Sequence, residues 1–167
     1  MADMQGGSDA IMAIAQERDF YNEAVGLLRT ANAATLATAQ DNIPFAALVT
    51  FALLPDLSPV LLLSTLSGHT RQLKRNAACS LLVVGQATDA NPQTAPRLCL
   101  TGTAAISDDL GVRAAFLMAH PYASQYADFT DFAFWRMDVT AAHYVGGFAA
   151  AARLDVEKLR AAASNLP

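Results

Sequence analysis

At 167 residues the chain has room for one domain, and we expect a single domain over 1–167. Hydrophobic residues make up 53% and charged residues 16%, so the apolar surface exceeds what one small core usually buries, and we expect a homodimer. A formal net charge of −4 without a Lys/Arg block is unlike that of a nucleic-acid-binding protein. The first residues lack a basic signal-peptide region and Phe45 to Pro55 is too short to span a membrane, so we expect a cytoplasmic protein without membrane contact.

The predicted elements begin with a helical segment over 1–30. Apolar residues recur near helical spacing from Ser8 to about Thr30, which predicts one amphipathic helix or two that are broken near Phe20. The barrel, over 33–150, then starts with a β-hairpin, because β-branched residues, the turn formers Asp41 and Asn42, and an apolar run from Ile43 to Leu54 follow one another.

The rest of the chain predicts more strands than helices. Strands are expected at Val60–Thr65, Cys79–Val84, Arg97–Ile106 with a bulge at Gly102, and Asp131–Val139. Helices are expected within 67–78, from Asp108 to Met118 with a stop at His120-Pro121, and over 155–164. This order lacks regular βαβ alternation and favours a mostly antiparallel barrel.

Cys79 and Cys99 are predicted to be buried, unlinked thiols in adjoining strands, because neither has a second Cys or His at metal-ligand spacing. No metal site is predicted. His120 and His143 are interpreted as hydrogen-bonding side chains, with metal ligation as the alternative.

The junction between a strand and a helix in LLLSTLSGHTRQLKRN is the main candidate site. Small hydroxyl residues lead into a helix whose first backbone N–H groups lack intrahelical partners, and His69 and Arg71 lie in its first turn. This combination suits an anionic group such as a phosphate, with a capped surface helix as the alternative. Arg97 is the first residue of an apolar strand. Its guanidinium either contacts an anion or extends into water at the end of the strand.

Several segments in order, among them LLLSTLSGHTRQLKRNAACSLLV, PRLCLTGTA, AHPYASQYADFTDFAFWRMDV and HYVGGFA, resemble the haem-utilisation (HugZ-like) branch of the pyridoxamine-phosphate-oxidase-like proteins. The resemblance runs from about Ala33 to Ala150. It implies a six-stranded, FMN-binding split barrel whose dimer interface forms two flavin sites. It also implies that the cofactor is contacted by Val49, Thr50, Ser64, Thr65, His69, Thr70 and Arg71, and it aligns Arg97 where pyridoxamine-phosphate oxidases usually have a glutamine that faces the flavin.

The resemblance leaves three functions open. The first is an FMN-dependent oxidoreductase that acts on a small molecule, in which the flavin would carry the chemistry. The others are haem binding or haem degradation, with haem as the ligand, and a non-catalytic flavin-binding module. No catalytic residue is assigned, and the arginine- and histidine-bearing C-terminal signature of pyridoxamine-phosphate oxidases is missing from the sequence.

Overall fold

The computed structural model describes residues 19–147 and 150–165, and those residues form four α-helices, two short 3-10 helices and seven strands. In chain order these are α1 (Phe20–Thr30), β1 (Ala33–Gln40), β2 (Ile43–Leu53), β3 (Pro59–Ser64), α2 (Gly68–Leu73), β4 (Ala78–Val84), a 3-10 turn (Pro92–Thr94), β5 (Arg97–Ile106), α3 (Leu110–Ala119), a second 3-10 turn (Pro121–Gln125), β6 (Phe132–Val145), β7 (Ala151–Leu154) and α4 (Val156–Asn165).

The strands form one antiparallel sheet in the order β3, β2, β1, β4, β5, β6, β7, and β3 also pairs with β6. That pairing, with Leu62 opposite Phe134, closes the first six strands into a barrel, while β7 lies beside the last part of β6. The predicted six-stranded antiparallel barrel with flanking helices is therefore confirmed.

Local sequence explains the two sharpest features of the barrel. The β1–β2 turn places Asp41 and Asn42 at φ values of 51° and 61°, which these residue types tolerate better than most and which tight hairpins require. In β5 the register against β6 shifts between Thr101 and Gly102, so the predicted bulge at Gly102 is confirmed.

Two groups of buried side chains hold the molecule together. The larger fills the barrel and is closed by α1 and α4, with Val25, Leu61 and Met137 all fully buried. The smaller lies outside the barrel wall, where Val112 and Phe116 of α3 cover β3 and β6. No helix in the described part of the chain has both the length and the apolar character needed to cross a membrane.

Helix boundaries mostly follow the sequence signals. Asp19 caps α1 by accepting from the backbone N–H groups of residues 21 and 22, while the predicted helical stretch before Asp19 lies outside the described residues. Asp109 caps α3 in the same way, and α3 ends before His120-Pro121 as predicted. The C-terminal helix begins after Asp155 and ends at Asn165, one residue beyond its predicted end.

Three sequence predictions need correction. Strand β6 extends to Val145, six residues beyond its predicted end, because its last part pairs with both β5 and β7. The sequence pattern does not predict strand β7. Cys79 is buried and Cys99 is unlinked in the adjoining strand, but Cys99 is only half-buried since its side chain points away from the barrel core.

Candidate functional site

The candidate site lies where β3 ends at Ser64 and α2 begins at Gly68. Hydrogen bonds from α2 to the β1–β2 hairpin fix its position: Gln72 accepts from the Thr38 hydroxyl at 2.6 Å and donates to the Ile43 carbonyl at 3.3 Å. The Asn76 side chain, just after the helix, donates to the Ala39 carbonyl at 3.0 Å. The junction is thereby attached to the hairpin.

A split in the barrel wall adjoins this junction. Strand β2 pairs with β3 only over Phe51–Leu53, whereas residues 43–50 of β2 pair with β1 alone. Val49 and Thr50, which the resemblance places beside a cofactor ring, are the last two residues of this one-sided stretch. The Val49 side chain is buried in the core and Thr50 is half-buried, so only their backbone edge faces the split.

The Ser64 hydroxyl is engaged by an acidic residue. It donates to the Asp131 carboxylate at 2.7 Å, and the backbone N–H of Thr65 donates to the Asp131 carbonyl at 2.7 Å. Asp131 immediately precedes β6, whose first residue pairs with Ser64. Sequence reasoning missed Asp131 as a site residue because 67 residues separate it from Ser64.

His69 and Thr70 lie on the inner side of α2. His69 is 8% exposed, and its ring is tilted against Phe45 at a centroid distance of 6.4 Å. Burial lowers the pKa of His69 below its usual value of 6.5. Thr70 is fully buried and its hydroxyl has no hydrogen-bond partner among the described residues. Thr70 therefore cannot contact an external ligand in this conformation.

Arg71 is the exposed cation of the junction. One guanidinium nitrogen donates to the Leu66 carbonyl at 2.7 Å, which holds the side chain back over the loop before α2. A guanidinium has five N–H donors, so most of them remain available for a carboxylate or phosphate. Leu66 itself is 75% exposed, which places apolar surface directly beside this charge.

Arg97 is the one predicted site residue that the structure places elsewhere. It pairs with Val84, at the opposite end of β4 from the α2 end of that strand. A strand of seven residues is about 20 Å long, so Arg97 does not reach the junction of its own protomer. Its guanidinium donates to the carbonyls of Gln93 and Ala95.

An apolar groove with a volume of about 630 Å³ lies away from the junction, between the end of β2 and α3. Its walls are mostly apolar, and Asp109 is its one acidic group among the described lining residues. That carboxylate already caps α3. The described lining contains no histidine, cysteine, lysine or arginine, so the groove offers neither an imidazole or thiolate ligand for iron nor a cation for an anionic group. Within 19–147 and 150–165, no cluster of three or more His, Cys, Asp or Glu side chains is arranged to hold a metal ion.

Comparison with known proteins identifies the family. A family model described as CREG, beta-barrel matches residues 21–160. The chain belongs to the CREG beta-barrel family. Its CREG barrel is 38% identical over 120 residues to a chloroplastic protein of Arabidopsis thaliana named non-canonical heme oxygenase HOZ, in a match that covers 70% of this chain and 36% of the plant protein.

Solved structures share the fold of this chain. A heme binding protein from Mycobacterium smegmatis superimposes on the CREG barrel with a TM-score of 0.80 and 30% identity, covering 87% of this chain and 61% of that one. A Listeria innocua protein of the pyridoxamine 5'-phosphate oxidase type superimposes with a TM-score of 0.61 and 15% identity, covering 77% of this chain and all of that one. The resemblance to the haem-utilisation branch of the split barrels is confirmed. The chain spans only part of the plant and mycobacterial proteins.

Two of the hydroxyls at the junction of this CREG barrel are unsuitable as donors to the phosphate of FMN. A phosphate dianion only accepts hydrogen bonds, yet the Ser64 hydroxyl already donates to a carboxylate and the Thr70 hydroxyl is buried. An acidic side chain beside a phosphate is also electrostatically unfavourable. Haem needs apolar surface, an axial ligand and cations for its propionates, and the junction has exposed Leu66, the His69 imidazole and Arg71. The expectation of FMN as the main cofactor is thus not supported.

Proposed function

We propose that this protein is a haem-binding protein whose ligand lies at the junction of β3 and α2, against the split between β2 and β3. The observation that carries the proposal is the exposed apolar surface of Leu66 and Phe45 beside the Arg71 guanidinium, which suits an apolar ligand with a peripheral carboxylate. The hydrogen bond from Ser64 to Asp131 engages a hydroxyl that a phosphate would need as a donor. The relatives support the same ligand, since one is named a haem oxygenase and the other a heme binding protein.

Residues around the junction would each contribute a different interaction. Leu66 and the half-exposed Phe45 present apolar surface for the macrocycle. Arg71 retains free N–H donors and would pair with a propionate carboxylate through a charge-assisted contact. When bound, haem would supply the iron for binding or activating oxygen, while the protein supplies orientation and charge.

We also propose that the protein acts as a homodimer. Several outward side chains of β1 and β2, among them Ala37, Ala46 and Leu48, are apolar and exposed, and they alternate with inward side chains such as Leu36 and Val49 that fill the core. Leu48 is 79% exposed. An apolar sheet face is normally covered by another layer, and a second copy of the chain would supply one.

Parallel titrations with haemin and FMN test the function. We expect haemin to give a shifted Soret band and saturable binding, and FMN to show little quenching of its fluorescence. Arg71→Ala should weaken haemin binding by about 10- to 100-fold, since a charge-assisted contact contributes roughly 1.5–3 kcal/mol. Lys74→Ala, at the C-terminal end of the same helix, is the matched control and should leave haemin binding unchanged.

The same samples separate the remaining alternatives. Tight FMN binding without a Soret shift would contradict the proposal and restore the flavin alternative. Decay of the Soret band in air after addition of a reductant, with a bile-pigment product, would extend the proposal from haem binding to haem degradation. A stable Soret band under those conditions would limit it to binding.

A further inference from the structure

The sequence contains three histidines, and the structure distinguishes them as iron ligands. His120 is 3% exposed, and both of its ring nitrogens are engaged, one with the Phe51 carbonyl at 2.8 Å and the other with the Tyr122 hydroxyl at 3.3 Å. His120 would have to break one of these bonds to bind iron. It therefore serves to join the segment after α3 to β2.

His143 lies in an unfavourable environment for a metal cation. It is an exposed residue of β6, and Arg153 of β7 is directly opposite it in the sheet. Directly opposite residues in an antiparallel pair have Cβ atoms about 5 Å apart, so a cationic side chain starts beside His143 on the same face of the sheet. His143 is also only two residues from Val145, which pairs with Arg97 at the barrel end remote from α2.

His69 differs from both. Its ring makes no hydrogen bond to any residue in the described part of the chain, although the side chain is more than nine-tenths buried. Within the described residues, the fully buried side-chain polar atoms without a partner are Thr70 Oγ1 and Trp135 Nε1, so the ring nitrogens of His69 retain access to the surface. The imidazole lies against the aromatic ring of Phe45, and Arg71 is two residues further along the same helix.

We propose that His69 is the protein ligand of the haem iron, an inference that rests on the proposed haem binding. A ring nitrogen that makes no hydrogen bond and reaches the surface is free to donate its lone pair to iron. Phe45 covers part of the imidazole but is itself 42% exposed at the rim, so its side chain can turn aside without opening the core. Arg71 lies on the same helix, so one helix would provide the ligand for the metal and the cation for a propionate.

The test compares His69→Ala with His143→Ala in the full chain loaded with haemin. We would record the ferric absorption and electron paramagnetic resonance spectra, and the iron–imidazole stretching band of the ferrous form by resonance Raman spectroscopy. Loss of even an outer partner of a metal ligand typically weakens a site about 10- to 100-fold, so His69→Ala should weaken haemin binding by at least about tenfold. It should also abolish the iron–imidazole band, and added imidazole should restore the band. His143→Ala should resemble the wild type in every spectrum.

The outcomes separate this inference from the function on which it rests. A wild-type protein that binds no haemin would overturn both. Haemin binding with an iron–imidazole band that survives in His69→Ala, or with no such band in the wild type, would overturn the role of His69 alone. If His69→Ala does not fold, His69→Met provides the test, because a thioether ligand must change the ferric spectrum. An unchanged spectrum in His69→Met would reject the inference.

Discussion

Replacing Gly102 with alanine should disrupt the barrel at its bulge. A Cβ atom at this position would overlap the backbone carbonyl oxygen of Asp138 and lie 3.1 Å from the Cα atom of Val139. Both neighbours are backbone atoms of β6, so no side-chain rotation relieves the contact. The β5–β6 ladder, which the bulge keeps in register, must move instead.

The size of the effect follows from this geometry. Overpacking that side chains can partly relieve costs about 1–3 kcal/mol, and here relief requires backbone movement in two central strands. We therefore expect Gly102→Ala to lower the free energy of unfolding by about 3 kcal/mol or more. For a protein of this size, Tm should then fall by roughly 6–12 °C, at about 2–4 °C per kcal/mol.

Gly26→Ala is the matched control, because it makes the same chemical change in an open environment. Gly26 lies inside α1, is exposed, and has no neighbouring atom within 4 Å of the position that a Cβ atom would occupy. Alanine in a helix interior is more favourable than glycine by about 0.5–1 kcal/mol, so this variant should melt roughly 1–4 °C above the wild type. Thermal denaturation at one fixed protein concentration measures both variants, since Tm of a dimer depends on concentration. If Gly102→Ala melts with or above the wild type, the reasoning about the bulge is wrong.

Three further predictions concern thiol reactivity, pH and assembly. At pH 8, Cys99 should react with a polar alkylating reagent before Cys79 does. Burial raises the pKa of the Cys79 thiol to about 11, which leaves only about one Cys79 side chain per thousand as thiolate. Equal alkylation rates of the two cysteines in the folded protein would contradict this prediction. Burial lowers the pKa of His69, so the unfolded chain binds a proton at this residue more readily than the folded protein does, and Tm should fall as the pH drops below about 6.5. His69→Gln should reduce this fall. If Tm depends on pH in the same way in the variant and the wild type, the prediction is wrong. Light scattering at micromolar concentration should give a dimeric mass for the wild type and a lower mass for Leu48→Glu, whereas a monomeric wild type would refute the proposed dimer.

Local signals in the sequence are enough to predict much of the barrel. The hairpin turn at Asp41-Asn42, the cap of α3 at Asp109 and the bulge at Gly102 each depend on the conformational preference of one or two residues. Such preferences act over a few residues and can be recognised without knowing the rest of the fold.

The missed features depend on pairing between distant segments. Ala151–Leu154 has little intrinsic strand preference, and it becomes β7 because the end of β6 offers it a free edge. The Gly146-Gly147 pair favours a loop close behind the strand, and this signal hides how far β6 continues.

The position of the candidate site is predictable from the sequence, but its chemistry is not. The sequence indicates a cluster of hydroxyls, an imidazole and a guanidinium around α2, and the structure brings most of these residues together. The sequence cannot indicate that the Thr70 side chain points inward or that the Asp131 carboxylate accepts a hydrogen bond from Ser64. The direction of a hydrogen bond between residues so far apart is decided only when β3 and β6 meet.

Strand β6 gives the junction a stability that a surface loop would lack. Its beginning pairs with β3, its end pairs with β7, and β5 lies along its other edge from Trp135 to Val145. Neither end can fray without breaking ladders that hold other strands, so the amides of β6 should exchange with solvent only when the whole barrel unfolds cooperatively. Ser64 is paired to the first residue of this strand, so the proposed ligand site should belong to the slowest-opening unit of the molecule.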